Sequence, residues 1–230
     1  MASVATFCLL HGAWHDPYCW QPLVAHLRAR GHDAVAPDLP FHDRRTGYQE
    51  RVGPALEALQ GAADPVMVVS HSMASTYASL VATARERSLL VHVCPRLGPF
   101  AAPPGAPKMF RAGVPFPDER PDGTTIWDAQ TAIEVLYRRL PAATARGLAR
   151  RLRPLAPAAG AYPLSAHPDV PTALIYTADD EIFEPAWERF MATELLRIQP
   201  VELPGGHFPM LERTEAVADV LDRLARHGGT

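Results

Sequence analysis

Short apolar runs, each ended by turn-forming residues, recur along the chain and predict six buried strands. They cover residues 4–10, 33–36, 66–70, 89–94, 172–177 and 198–203. Helical periodicity fills most of the intervals, over residues 20–30, 48–60, 73–87, 185–196 and 214–226. Because strands alternate with helices, the pattern predicts an α/β fold, in which helices flank a mainly parallel sheet.

A break in this alternation lies between residues 95 and 171. Prolines cluster there, and two helical patterns, over residues 130–140 and 144–152, follow each other without a strand between them. We interpret residues 98–168 as a helical cap, inserted after the fourth strand of one domain that spans residues 1–230. A run of arginines in the cap is more typical of a solvated helix face than of a site for an acidic substrate: Arg138, Arg139, Arg146, Arg150, Arg151 and Arg153.

Composition and charge narrow the classes of function. The chain has 230 residues, of which 47% are hydrophobic, and a net charge of −3, which fits one globular domain and disfavours a nucleic-acid-binding surface. The widely spaced Cys8, Cys19 and Cys94 are typical of free thiols in a reducing compartment. No apolar run is long enough to cross a bilayer, and the first residues lack the basic start of a secretory signal. We therefore expect a cytoplasmic protein that binds neither nucleic acid nor membrane.

A serine-containing turn follows the third predicted strand, in the order Ser70-His71-Ser72-Met73-Ala74, and leads into a helical pattern. A sharp strand-to-helix turn of this kind lifts a serine hydroxyl above the sheet in a nucleophile elbow, whose usual pattern is G-x-S-x-G. Here Ser70 and Ala74 replace both glycines, and they are the next smallest side chains. Ser72 lies at the apex and is the candidate nucleophile, while the alternative is an ordinary serine-rich helix start.

An attacking serine also requires N–H donors for the oxyanion that forms at the substrate carbonyl. In a nucleophile elbow, the residue after the serine supplies one donor, and the loop after the first core strand supplies the other. Met73 takes the first position. The loop is His11-Gly12-Ala13-Trp14, in which Gly12 permits a tight turn and Ala13 presents its N–H.

Acids and a histidine follow the last two predicted strands, at the sheet edge where α/β proteins place their sites. Helix capping is the better interpretation for Asp179, Glu181 and Glu184, although the residues alone leave the choice between Asp179 and Asp180 open. His207 lies on a glycine-rich loop before the final helix. A serine, an acid and a histidine therefore follow one another in the chain order of a known class of catalytic triad.

Two other kinds of site receive no support from the sequence. His11 and His15, with Asp16 nearby, form no metal-binding motif such as H-E-x-x-H. A G-x-G-x-x-G loop, which would indicate a nucleotide, is also absent. We therefore predict neither a metal site nor a cofactor.

Together these motifs resemble the α/β-hydrolase superfamily. Residues 7–14 (FCLLHGAW) and 31–40 (GHDAVAPDLP) look like the opening of its esterases. More narrowly, they resemble the branch that contains plant methylesterases, hydroxynitrile lyases and their bacterial relatives. Residues 180–185 (DEIFEP) and 207–211 (HFPML) are similar to the acid and histidine segments of that branch.

The resemblance implies an α/β-hydrolase fold in which Ser72 is the nucleophile, His207 the general base and Asp180 the triad acid. The chain departs from the branch at the elbow glycines and at two further positions. Hydroxynitrile lyases carry a threonine after the first-strand histidine and a lysine after the triad histidine, where this chain has Gly12 and Phe208. These differences disfavour lyase activity.

We therefore predict a serine hydrolase that cleaves a small carboxylic ester or thioester. Gly12, Trp127 and Phe208 are the candidate substrate-binding residues, and Leu97 and Phe100 are candidates for the same apolar pocket. The alternative for the aromatic residues is the core of the cap. Because this fold supports many chemistries, two alternatives stay open: a lyase, cyclase or transferase acting on a specialised metabolite, and a noncatalytic ligand-binding protein. The sequence does not distinguish a monomer from a homodimer.

Overall fold

Six strands form one sheet in the computed structural model, which describes residues 5–85, 87–98 and 104–227. The strands are β1 Thr6–Leu10, β2 Asp33–Val35, β3 Val66–His71, β4 Ser88–Val93, β5 Thr172–Thr177 and β6 Val201–Leu203. Their order across the sheet is β2-β1-β3-β4-β5-β6, and all neighbouring strands are parallel. This architecture confirms the predicted α/β fold class.

Helices connect the strands. In the described part of the chain they are α1 Gln21–Ala29, α2 Tyr48–Ala58, α3 Ala74–Thr83, α4 Ala129–Val135, α5 Ala142–Ala149, α6 Pro185–Phe190, α7 Pro209–Glu212 and α8 Thr214–His227. The connection from β4 to β5 carries α4 and α5, and its described residues contain no strand of the sheet. None of the helices in the described residues has the length and hydrophobicity needed to cross a bilayer.

Apolar side chains cover both faces of the sheet. On one face, Phe7 and Leu9 of β1 belong to a core that includes residues of α1 and α8, among them Leu23 and Leu221. On the other face, alternate residues of β1 pack with α2 and α3. Successive side chains of a strand point to opposite faces, so a strand covered on both sides is apolar throughout. This double burial is the reason that the strands were readable as continuous apolar runs.

Element boundaries differ from the prediction near residue 190. The helix predicted over residues 185–196 divides into α6 and a π-helical segment, Met191–Leu195. Arg197 then has a φ of 56°, in the left-handed region, and β6 begins only at Val201. The left-handed residue turns the chain, so β6 starts later than the strand predicted over residues 198–203.

Other differences involve prolines and helix ends. The short 3₁₀-helix Pro17–Trp20 and α7 were not predicted, and a proline lies in the first turn of each. Proline suits this position because its fixed φ is helical and its missing N–H would have no intrahelical partner. The helix predicted over residues 73–87 ends as α3 at Thr83. Residues 4, 86 and 99–103, which fall within predicted elements or the predicted cap, lie outside the described residues.

Arginines of the β4–β5 connection form ion pairs with loops at the carboxyl edge of the sheet. The interpretation of these arginines as a solvated helix face did not predict such pairs. In the described residues, the ion pairs of these predicted cap arginines are Arg138 and Arg139 with Glu181, Arg139 also with Asp179, Arg151 with Asp16, and Arg153 with Asp38. The shortest N–O distance in three of these pairs is 2.6 Å. These ionic contacts hold the connection over the edge where Ser72 lies.

Candidate active site

A strained turn places Ser72 between β3 and α3. Its φ is 54°, in the left-handed region that residues with a side chain rarely adopt. The Ser72 N–H donates to the Val93 carbonyl at 3.0 Å, and the Ser72 carbonyl accepts from the Arg96 N–H at 3.1 Å. Ser70 and Ala74, the two substitutes for the usual glycines, are fully buried. Their small side chains therefore fit the close packing of the turn.

His207 and Asp180 form a buried pair at the ends of two neighbouring strands. Nδ1 of His207 lies 2.7 Å from Oδ2 of Asp180, while Oδ1 of Asp180 accepts from the N–H groups of Ile182 and Phe183. A carboxylate bound in this way can only accept, so Nδ1 of His207 carries the proton and Nε2 is the bare nitrogen. Asp179 instead has an exposed side chain 3.7 Å from Arg139.

A second histidine, His71, packs against His207 and binds its backbone. Nε2 of His71 lies 2.7 Å from the carbonyl oxygen of His207 and donates to it. The two rings are 4.7 Å apart. Burial, followed by the nearby His207, lowers the pKa of His71 well below its usual value. His71 therefore stays neutral, and it fixes the backbone of the histidine loop without adding a positive charge beside it.

Two glutamates hold the loop that carries His207, a role that sequence reasoning missed. Glu181 accepts from the N–H of His207 at 3.0 Å, and Glu212 accepts from the N–H of Gly206 at 2.8 Å. A Cβ atom at Gly206 would lie 2.3 Å from Oε2 of Glu181. Glycine is therefore required at this position for the Glu181 carboxylate to reach the loop. Glu181 does not cap α6, the interpretation that its sequence position favoured.

The loop after β1 approaches the turn at Ser72 closely. A Cβ atom at Gly12 would lie 3.0 Å from Nδ1 of His71 and 3.2 Å from Cβ of Ser72. Within the described residues, the N–H groups of Ala13 and Met73 donate to no other group of the protein. Both residues line the cavity that contains Ser72. Two uncommitted amides beside a serine hydroxyl are the arrangement that oxyanion stabilisation requires.

His15 holds this loop from the opposite side and was also missed as a functional residue. Its Nδ1 lies 2.5 Å from the Ala13 carbonyl, and its Nε2 lies 2.5 Å from the Tyr137 hydroxyl. Burial lowers the pKa of His15 to about 4. The neutral ring donates to Ala13 and accepts from Tyr137, so it orients the Ala13 peptide. The sequence signal for this role was the histidine pair His11 and His15 after β1, which we tested only as a metal-binding motif.

Cys94 and Glu188 lie behind the Asp180 carboxylate. Ligand-type atoms of Cys94, Asp180 and His207 all lie within 4.8 Å of one another, but Asp180 and His207 already bind each other. Burial raises the pKa of the Cys94 thiol well above its usual value. Glu188 is fully buried without a hydrogen-bond partner in the described part of the chain, and its burial, together with Asp180, raises its pKa well above the ordinary value. Burial therefore disfavours the charged form of both side chains.

One cavity of about 230 Å³ brings together most of the predicted site residues. Ser72, His207, Gly12, Ala13 and Met73 line it, together with the predicted Trp127 and Phe208 and the further aromatic residues Trp14, Phe110, Phe116 and Phe183. Asp180 lies behind His207 and does not line this cavity. Leu97 is not among the described residues of this lining and belongs to a core cluster with Leu174 and Tyr176, and Phe100 lies outside the described residues.

Solved structures similar to this chain share its fold. A pyrethroid hydrolase, PytH, aligns with a TM-score of 0.78 at 21% identity and covers 96% of this chain and 97% of its own. The methylesterase MES16 from Arabidopsis aligns with a TM-score of 0.75 at 18% identity, covering 96% of this chain and 98% of its own. Tomato methylketone synthase I aligns with a TM-score of 0.73 at 17% identity, with 99% coverage of both chains.

Sequence comparisons agree on the family. Esterase PIR7B of Oryza sativa subsp. japonica is 36% identical over 81 residues, which are 31% of this chain and 30% of that protein. Methylesterase 7 of Arabidopsis thaliana is 35% identical over 86 residues, 33% of each chain. The matched segments thus span about a third of these curated relatives. A sequence profile described as "Alpha/beta hydrolase family" matches residues 9–220, nearly the whole chain, including the Ser72 turn and the His207 loop. The chain therefore belongs to the alpha/beta hydrolase family.

Proposed function

We propose that this protein is a serine hydrolase that cleaves a small carboxylic ester or thioester through an acyl-enzyme intermediate. The bare Nε2 of His207 removes the proton of the Ser72 hydroxyl, and the serine oxygen attacks the substrate carbonyl. Asp180 stabilises the imidazolium that forms. His207 then protonates the leaving alcohol or thiol, and a water molecule, activated by the same histidine, releases the acid and restores Ser72. These steps use only water and groups of the chain itself.

The observation that carries this proposal is the combination of the buried His207–Asp180 pair with the strained Ser72 turn beside the same cavity. A 2.7 Å contact on Nδ1 leaves Nε2 of His207 as the acceptor, which is the tautomer that a general base requires. The left-handed φ of 54° at Ser72 is the strain that a nucleophile elbow imposes on its serine. A structural serine on a helix start has no need for either feature.

The oxyanion is expected to bind the N–H groups of Ala13 and Met73, which have no acceptor within the described protein. Removing one donor from such a site costs about 2.7–4 kcal/mol of transition-state stabilisation in a well-studied protease. Orienting contacts on this loop are therefore part of the proposed catalytic arrangement. The His15 ring supplies one of them through the Ala13 carbonyl, at 2.5 Å.

The dimensions and lining of the cavity support a small substrate whose ester group lies in apolar surroundings. Its volume of about 230 Å³ and its aromatic walls favour a compact ester over a long polymer. Several similar proteins carry the names esterase or methylesterase, which supports ester cleavage as the reaction class. A reducing compartment such as the cytoplasm is a further part of the proposal, supported by the free and buried state of Cys8, Cys19 and Cys94.

The test is covalent labelling with a fluorophosphonate, read by intact mass. We expect one adduct on the wild-type protein and none on Ser72→Ala. Ser75→Ala is the matched control, because Ser75 is buried one helical turn away and lines no part of the cavity. Absence of an adduct on the wild type, or an adduct that persists in Ser72→Ala, would overturn the serine mechanism. Tight binding of an ester without labelling would instead support a noncatalytic binding protein.

A further inference from the structure

Arg96 occupies a fixed position next to the nucleophile. It follows β4, and its backbone N–H donates to the Ser72 carbonyl at 3.1 Å. Its side chain is exposed and lines the active-site cavity. The same side chain lines a neighbouring cavity of about 390 Å³, which shares Met73 and Leu155 with the first. The Arg96 guanidinium therefore lies where a substrate that extends beyond the active-site cavity would pass.

The charges around the two cavities are unbalanced. The described residues that line the two cavities include no aspartate or glutamate. Arg51 also lines the second cavity, but its guanidinium donates to the Tyr77 hydroxyl and to backbone carbonyls such as that of Ala156. In the part of the chain that the structure describes, the Arg96 side chain has neither a hydrogen bond nor an ion pair. Arg96 is thus a cation without a counter-charge beside the site, in a chain whose net charge is −3.

Other arginines near this edge differ from Arg96 in one respect. Arg139, Arg151 and Arg153 each have a carboxylate partner at 2.6 Å. The segment that follows Arg96, residues 99–103, contains only proline, phenylalanine and alanine and supplies no acidic side chain. No acid of the described residues provides a counter-charge for Arg96, so a substrate carboxylate can bind its exposed guanidinium without displacing one of them.

We propose that Arg96 determines specificity by binding a carboxylate on the substrate, so that the preferred substrates are half-esters of short dicarboxylic acids. This inference rests on the proposed ester hydrolysis. A guanidinium matches a carboxylate through two parallel hydrogen bonds. A single uncompensated arginine suits one negative charge better than a phosphate, which carries between one and two charges and requires more donors. The ester group occupies the apolar cavity at Ser72, and the free carboxylate extends to Arg96.

A matched pair of substrates tests this inference: monomethyl glutarate and its neutral carboxamide analogue, methyl glutaramate, with methanol release as the readout. For the wild type we expect kcat/KM to be at least about tenfold higher for monomethyl glutarate than for methyl glutaramate, because hydrogen bonds between charged groups contribute that much to binding. In Arg96→Gln this ratio should fall below about twofold, and in Arg96→Lys it should be intermediate, because lysine keeps the charge and loses the fork geometry. Arg87→Gln is the control, since Arg87 is exposed at the other end of β4 and should leave the ratio and the rate unchanged.

The outcomes separate the inference from the function on which it rests. A wild-type ratio near one, or a ratio that survives in Arg96→Gln, would overturn the role of Arg96 while ester hydrolysis stands. If Ser72 reacts with the fluorophosphonate but neither ester turns over, the two compounds are compared as competitors of labelling. Equal competition by the carboxylate and the carboxamide would then overturn the inference. Failure of labelling itself would overturn the proposed function.

Discussion

Glu181 joins the histidine loop to the β4–β5 connection: Oε2 accepts from the His207 N–H at 3.0 Å, while Oε1 lies 2.6 Å from Nε of Arg139. The Glu181 side chain is only 7% exposed, so water competes little for either contact. One carboxylate therefore links the Arg139 side chain to the backbone of His207. We infer that Glu181 is a positioning residue for the proposed general base.

Substitution of Glu181 should lower kcat more than it changes KM. In Glu181→Ala the His207 N–H loses its acceptor, and hydrogen bonds to charged groups contribute about 1.5–3 kcal/mol. We expect kcat for a simple ester to fall about tenfold or more, with KM within about twofold. Glu181→Gln keeps an acceptor for the N–H and should retain most of the rate. Asp179→Asn, which alters an exposed neighbouring carboxylate, is the control, and equal rates in all four proteins would contradict the positioning role.

Gly206→Ala should damage the site through Glu181. The backbone of Gly206, unlike that of Gly205, does not have a positive φ, so alanine meets no conformational obstacle. The added Cβ would instead lie 2.3 Å from Oε2 of Glu181, and the carboxylate must move. We expect a clear loss of kcat/KM, and a smaller further loss when the same change is made in Glu181→Ala.

A double-mutant cycle measures this coupling. We expect an interaction energy of at least about 1 kcal/mol between positions 181 and 206, since residues in direct contact are not additive. Gly147→Ala in α5 is the control, because its Cβ would meet nothing within 4 Å. Strict additivity at positions 181 and 206 would show that the glycine is required for another reason.

The hydroxyl of Tyr137 should affect the rate through His15 and the Ala13 loop. Tyr137→Phe removes the donor to Nε2 of His15, which then has no partner in a buried site. Loss of one partner of a buried hydrogen bond costs about 1–3 kcal/mol. We expect lower stability together with a kcat reduced about three- to tenfold. Tyr162→Phe, which removes a hydroxyl bonded to the Thr76 carbonyl, should cost stability while kcat stays the same, and an equal loss of kcat in both variants would contradict the role of His15.

The central strands β1, β3 and β4 were predictable from the sequence because they are buried at every residue and are therefore mostly apolar, whereas the edge strands β2 and β6 are only partly buried. Placement of residues at strand ends was equally readable: Ser72 follows β3, Asp180 follows β5 and His207 follows β6. Parallel strands end at one edge of the sheet, so these side chains meet there whatever the length of the segments between them. Chain order placed the candidate serine, acid and histidine at this edge, while the choice of Asp180 over Asp179 came from the resemblance to the esterase branch.

Contacts between distant positions were not predictable in the same way. His15 and Tyr137 are 122 residues apart, and neither position has a pattern that indicates the other. Glu181 looked like a helix-capping acid because its partner His207 lies 26 residues further along the chain. Arg96 was not predicted as a site residue, because the lack of a carboxylate partner depends on the surrounding side chains and cannot be read from one residue. The roles of these groups follow from packing, which a single sequence does not display.

Glu188 should make the stability of the protein depend on pH. Burial and the nearby Asp180 raise its pKa well above the ordinary value of 4.5, so it binds a proton more tightly in the folded than in the unfolded chain. Its contribution to stability is therefore complete below pH 4.5 and is lost as the pH rises towards the folded-state pKa. Glu188→Gln has no titrating proton at this position, so its stability should not show this decrease as the pH rises.

Urea unfolding of the wild type and of Glu188→Gln, at several pH values from 4.5 to 8, measures this pH dependence of stability. We expect the free energy of unfolding of Glu188→Gln, relative to the wild type, to increase with pH by at most about 1.4 kcal/mol per pH unit, because one proton is involved. Glu194→Gln, at an exposed position of the adjoining π-helical segment, should show no such trend. A difference between Glu188→Gln and the wild type that is constant with pH would contradict this prediction, because it would mean that Glu188 is ionised in the folded protein.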